Sequence, residues 1–203
     1  MQKLLVATTN KGKIHELREF LKDLKVQLVS LKDVGIEVDV EEDGKTYIEN
    51  SQKKALFYAK LSGLPAVADD GGLEIAFLNG EPGVRSRRWL GYHGTDAELI
   101  EHLKKVVASI PNNKRQAVFR TVVSFALPTG EIWSQEGLVS GVLSEEPEKA
   151  LLEGYPYRSF FYLPEIKKFY HESELTPEEM KEYNHRYKAI EKLKPIIKKE
   201  LHV

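Results

Sequence analysis

Four apolar residues in a row, Leu4, Leu5, Val6 and Ala7, constrain this chain more than any other feature. A run with no polar residue on either face of the pleat suits a strand covered on both sides, as in a parallel sheet with helices above and below. The polar stretch Thr8-Thr9-Asn10 breaks the run. Ile14, Leu17, Phe20, Leu21 and Leu24 then recur at helical spacing, with Asn10 placed to cap that helix. The chain therefore opens strand, polar turn, helix.

The alternation continues. A second strand is expected at 26–29. Thr46 and Glu49 have capping-box spacing and start a helix that carries Ala55, Leu56 and Ala59 and stops near Gly63. The short apolar run 66–68 ends in Asp69-Asp70-Gly71-Gly72, which interrupts it. A further strand over 73–78 and a turn at Asn79-Gly80 follow. Thr95 and Glu98 cap a third helix with Leu99, Leu103, Val106 and Val107 on its apolar face. Residues 116–127 and 131–143, joined by Pro128-Thr129-Gly130, read as an antiparallel hairpin. Residues 154–164 are aromatic and turn-rich. Thr176-Pro177 starts a short helix, and a last helix carries Tyr183, Tyr187, Ile190, Leu193 and Ile197. The fold class is α/β with a mixed sheet, in one domain over residues 1–203.

Composition then excludes function classes. With 203 residues and 41% hydrophobic content the chain can bury a sizeable core. Its 30 Lys+Arg against 31 Asp+Glu argue against a wholesale nucleic-acid binder. The absence of cysteine removes disulfides, Cys-ligated metals and a Cys nucleophile. No apolar run approaches the roughly 18–20 residues of a membrane span. The N-terminus enters a strand directly, without the layout of a secretory leader. A soluble, cytoplasmic protein with neither membrane nor nucleic acid as partner is the expectation.

Four groups carry chemistry. Thr8, Thr9, Asn10, Lys11, Gly12 and Lys13 put hydroxyls, an amide, backbone N–H groups and two lysines at a helix start. That arrangement holds a phosphate chain, or else is a well-capped polar turn. Asp69 and Asp70 follow an apolar strand, and adjacent strand residues point to opposite faces. One carboxylate can bind Mg²⁺ while the other orients a water or stabilises a turn; an ordinary Asp-Gly turn is the alternative. The acidic stretch with Glu41, Glu42 and Glu49 offers a second metal carboxylate, although Glu49 fits its capping box better. His185 and Arg186 can hold a base edge, a carboxylate or a phosphate, or lie on the surface at a helix end.

Together these residues resemble the inosine triphosphate pyrophosphatase family over nearly the whole chain. Thr8, Asn10, Lys13 and Glu16 match its Thr-x-Asn-x-x-Lys-x-x-Glu signature. Glu42 lies in the acidic loop, and Glu49-Asn50-Ser51-Gln52-Lys53-Lys54-Ala55 matches the next segment. Ala68-Asp69-Asp70-Gly71-Gly72-Leu73, then 80–86, then Asn184-His185-Arg186 follow in register. The resemblance implies Mg²⁺-dependent conversion of a nucleoside triphosphate to monophosphate and pyrophosphate, on deaminated purines such as ITP, dITP and XTP. It assigns the phosphates to 8–13 and Lys54, Mg²⁺ to Glu42 and Asp70, and the water to Asp70 or Asp69. It also implies an elongated sheet with two lobes around a nucleotide cleft, and a homodimer. A sensor that binds nucleotide with little turnover is the alternative.

The departures cluster in the loop that, in the family, shapes the base pocket. Gly154-Tyr155-Pro156-Tyr157-Arg158-Ser159 stands where the family has Gly-Phe-Gly-Tyr-Asp-Pro. Tyr155 keeps an aromatic face, Pro156 removes an N–H and the option of positive φ, and Arg158 reverses the local charge. Met180 replaces a lysine, Asn184 a serine before His185, and Gly71 a serine after Asp70. Phosphate and metal residues match and base-reading residues do not. That asymmetry leads us to expect altered base or sugar selectivity if Arg158 reads the substrate, and ordinary selectivity if it points to solvent.

Overall fold

The structure, a computed structural model, describes residues 1–148 and 152–203. Its seven strands form one mixed sheet in the order β2-β1-β3-β4-β5-β6-β7. These are β1 Gln2–Val6, β2 Val26–Ser30, β3 Ala66–Ile75, β4 Gln116–Ala126, β5 Ile132–Leu143, β6 Phe161–Leu163 and β7 Lys168–Phe169. The helices are α1 Lys11–Leu21, α2 Tyr47–Ser62, α3 Asp96–Ser109, α4 Pro177–Tyr183 and α5 His185–Leu201. β1 pairs in parallel with β2 and β3, whereas β6 pairs antiparallel with β5 and β7. The expected α/β class with a mixed sheet is what forms. Among the described residues no helix is long and apolar enough to cross a membrane.

The chain divides into two compact units. The first comprises Met1–Asp70, Thr121–Gly137 and Arg186–Val203; the second comprises Gly71–Arg120 and Leu138–His185. In the first unit, Leu4 and Val6 pack with Leu17, Leu21, Val67, Phe125, Leu193 and Ile197. Leu5 and Ala7 pack with Val29, Ala55, Tyr58, Ala59 and Ala68 on the other side. The alternation of the pleat explains why the whole run is apolar: each face has its own layer to fill. Each fully buried Leu or Val there contributes roughly 1.5–3 kcal/mol. Asn10 caps α1, its Oδ1 accepting from the Lys13 N–H at 3.1 Å. Thr46 and Glu49 form the expected capping box of α2, which ends at Gly63 with φ 68°.

The second unit is built on Leu73, Ile75, Leu99, Leu103, Val107, Phe119, Phe160, Phe161 and Tyr170. Thr95 and Glu98 box the start of α3, and Thr176 and Glu179 that of α4.

Three expectations change. The Asp69-Asp70-Gly71-Gly72 stretch is no turn; β3 runs straight through it as one strand of 10 residues. Gly72 is there for close approach, since a Cβ at that position would sit 2.4 Å from the Gly83 carbonyl oxygen. Residues 76–78 form a 3-10 turn instead of continuing a strand, and the chain reverses at Asn79 (φ 53°) and Gly80 (φ 89°). The last helix begins at His185, because extended backbone at Asn184 (ψ 114°) separates it from α4, where Tyr183 sits. The aromatic segment also supplies the short strand β6, which a turn-rich composition conceals.

Candidate active site

In the first unit Asp69 and Asp70 take opposite sides of β3, and each meets a different set of partners. Asp69 is fully buried. Its Oδ2 lies 2.9 Å from Arg186 Nη2 and 3.1 Å from Lys13 Nζ, and accepts from Arg186 Nε at 3.0 Å. The Thr121 hydroxyl donates to the Asp70 carbonyl at 2.9 Å, bracing β3 from β4 beside this carboxylate. Burial opposes ionisation of Asp69, but Arg186, Lys13 and Lys54 outweigh it and hold the carboxyl far below the ordinary range. Its second oxygen, Oδ1, is buried with no hydrogen-bond partner.

Asp70 receives a hydrogen bond from Asn50 Nδ2 at 2.9 Å. Asn50 is aimed by its own Oδ1, which accepts from the Gly44 N–H at 2.8 Å and closes the acidic loop onto α2. Burial, helped by the nearby Glu42, raises the Asp70 carboxyl above its ordinary value against the pull of Lys54 and Lys13. The buried Lys54 ammonium bonds Glu42 Oε1 at 2.7 Å. Burial disfavours its charge, yet Asp70, Glu42 and Asp69 together raise its pKa. Glu42, for its part, is lowered in spite of burial by Lys54 and Lys13.

Lys13, Lys54, Glu42, Asp69 and Asp70, named from sequence, are thus brought together in the first unit. Thr8, Thr9, Lys11 and Gly12 surround the α1 cap: Thr8 Oγ1 accepts from the Asn10 N–H at 3.3 Å, and Thr9 and Lys11 are exposed. Arg186 holds carboxylates, one of the partners expected for it, and does not lie on the surface: it is buried and binds Glu16 as well as Asp69, as an internal clamp. Glu49 serves the α2 cap. Sequence reasoning placed no role on Asn50, Glu16 or Thr121. Glu16 lies one turn from Lys13 on the same face of α1, and Asn50 follows the capping glutamate; those spacings were the available signals.

The base-loop residues lie in the second unit. Tyr155 is half-buried, while Pro156, Tyr157 and Arg158 are buried. Tyr157 is turned into the core, its hydroxyl donating to the Ser86 carbonyl at 2.6 Å, and burial raises its pKa. It is therefore a structural anchor where a substrate contact was expected. Arg158 does not point to solvent: its guanidinium lies over the rings of Tyr155 and Tyr170. Met180 packs on the core of this unit, and Gly71 is half-buried within β3. His185 is buried, with Nδ1 2.9 Å from the Tyr170 hydroxyl.

The donor set suits a hard divalent cation. Glu42 and Asp70 supply carboxylate oxygens near Lys54, and the orphaned Asp69 Oδ1 is a further buried acceptor. Among the described residues no group of three His, Asp or Glu side chains could hold a metal by itself.

Comparison with known proteins places these residues in a family. The model described as the Ham1 family matches residues 4–196. A dITP/XTP pyrophosphatase of Clostridium perfringens is 38% identical, covering 98% of this chain and 98% of its own. One of Thermus thermophilus is 41% identical, covering 94% of this chain and 89% of its own. The solved structure of a HAM1 protein from Coxiella burnetii has a TM-score of 0.82 at 33% identity, over 98% of this chain and 100% of that one. With the family pattern running from the first strand into the last helix, and relatives matching along nearly the full length, the chain belongs to the Ham1 family.

Proposed function

We propose that this chain hydrolyses deaminated purine nucleoside triphosphates, of the dITP and XTP type, to the monophosphate and pyrophosphate. The observation that carries the reading is the first-unit cluster of buried Lys54 and Asp70 with half-buried Lys13 and Glu42, and the names of the relatives support it. Water attacks the α-phosphorus and the bond to the bridging α–β oxygen breaks, so negative charge grows on the departing pyrophosphate. Lys13 and Lys54, each paired with a carboxylate, supply the positive charge that neutralises it. Asp70, with its raised pKa and its orientation set by Asn50, accepts a hydrogen bond from the attacking water. Asp69, kept ionised by Arg186, holds Lys13 in place. Glu42 and Asp70 would hold Mg²⁺, which supplies charge neutralisation on the phosphate oxygens. The resemblance leaves the base to the second unit's Tyr155 and His185.

The test is pyrophosphate release from a panel of ITP, dITP, XTP, dUTP and the standard nucleotides with Mg²⁺. Turnover confined to the deaminated purines is expected. Tight binding without release would make the chain a sensor instead.

A further inference from the structure

Arg158 is 2% exposed. Its guanidinium carbon lies 3.8 Å from the centre of the Tyr155 ring and 4.5 Å from that of Tyr170. The cation thus lies over two tyrosine rings. The Tyr170 end is anchored: its hydroxyl meets His185 Nδ1 at 2.9 Å, and that imidazole stacks on Phe119 with centroids 5.4 Å apart and planes 18° from parallel. The Tyr155 end is half-buried, so one face of its ring backs onto Arg158 while the residue still reaches the surface.

Resting on the reading of Tyr155 as the ring that stacks on the base, we propose that Arg158 is a specificity-determining residue acting through Tyr155, and that it favours xanthine over hypoxanthine nucleotides. A cation held against one face of a ring draws on its π electrons and puts positive potential behind it. Buried, that charge is poorly screened by solvent ions. The base that gains by stacking on the opposite face is the more electron-rich one. Xanthine carries a second ring carbonyl and, as the more acidic base, is partly anionic near neutrality; hypoxanthine is neutral. Their outlines differ only at C2, where xanthine carries that second carbonyl. A guanidinium suits this role because it is a planar cation that can stack on an aromatic face, which an ammonium cannot do.

The experiment compares pyrophosphate release from XTP and from ITP. It uses the wild type, Arg158→Met and Arg158→Lys, then Arg158→Met again in a Tyr155→Leu background. The wild type is expected to prefer XTP. Arg158→Met should lower the XTP:ITP ratio of kcat/KM about fivefold, and Arg158→Lys should lower it less. In the Tyr155→Leu background the ratio should no longer respond to Arg158. Loss of packing alone depresses both nucleotides together and leaves the ratio where it was; that result overturns the proposal. If Arg158→Met does not fold, wild-type binding of the two monophosphates decides. XMP bound about fivefold more tightly than IMP supports the proposal, and equal binding overturns it. Release from neither nucleotide by the wild type overturns the function reading itself, a result distinct from release without preference.

Discussion

One step along β3 separates Asp69 from Asp70, and it gives two carboxylates opposite electrostatic fates. Asp69 meets Arg186 and Lys13 and stays ionised; for Asp70 burial, helped by the nearby Glu42, prevails over Lys54, Lys13 and the Asn50 amide, and its pKa rises. Asp70→Asn is accordingly expected to lower kcat for pyrophosphate release about 100-fold or more while nucleotide binding persists, read by steady-state kinetics and calorimetry. Asp69→Asn acts on stability, since it leaves the buried Arg186 with one carboxylate fewer. A loss of about 3 kcal/mol in denaturant unfolding is expected. The pH dependence follows from the sign of the shift. The folded pKa of Asp69 is depressed, so its contribution is complete above the unfolded carboxylate value of about 3.9 and fades as pH falls below it. Acid unfolding of the wild type should therefore steepen below about pH 4, and Asp69→Asn should flatten that limb.

Among the elements, the caps were plain from local spacing. Asn10, Thr46, Thr95 and Thr176 all cap helices as their positions suggest. Thr46→Ala should cost about 1 kcal/mol by denaturant titration, because it removes one half of a reciprocal box. The strand through Asp69-Asp70-Gly71-Gly72 was not plain. Two glycines after two aspartates look like a turn, yet Gly72 serves the packing of Ser86 and the Gly83 carbonyl against the strand. Gly72→Ala is expected to destabilise by about 2 kcal/mol or more, since the obstacle is backbone and cannot rotate away. A drop in melting temperature larger than that of Thr46→Ala would show it.

At the scale of the whole molecule, the sheet threads two units, each with its own buried core. The metal donors we propose, Glu42 and Asp70, belong to the first unit, and among the described residues no group of three such side chains could form a cage. Chelation by EDTA should therefore abolish pyrophosphate release and return it on adding Mg²⁺, while the melting temperature hardly moves. A large fall in melting temperature on chelation would mean a structural metal. The homodimer that the resemblance implies is a separate proposal, for which light scattering at twice the 23.2 kDa chain mass is the test.

Sequence by itself determined the parts that depend on near neighbours: the strand–turn–helix opening, the capping boxes and the hairpin. Spacing along a chain dictates such features because hydrogen bonds at helix ends and side-chain alternation are local. Only the tertiary structure decided that Arg186 joins Asp69 from 117 positions away and Glu16 from 170. It alone showed that Tyr157 turns inward and that Arg158 lies over the rings of Tyr155 and Tyr170. The physical reason is burial. A charged or phenolic side chain taken out of water must find its partner wherever the fold supplies one, and distance along the chain does not reveal that place.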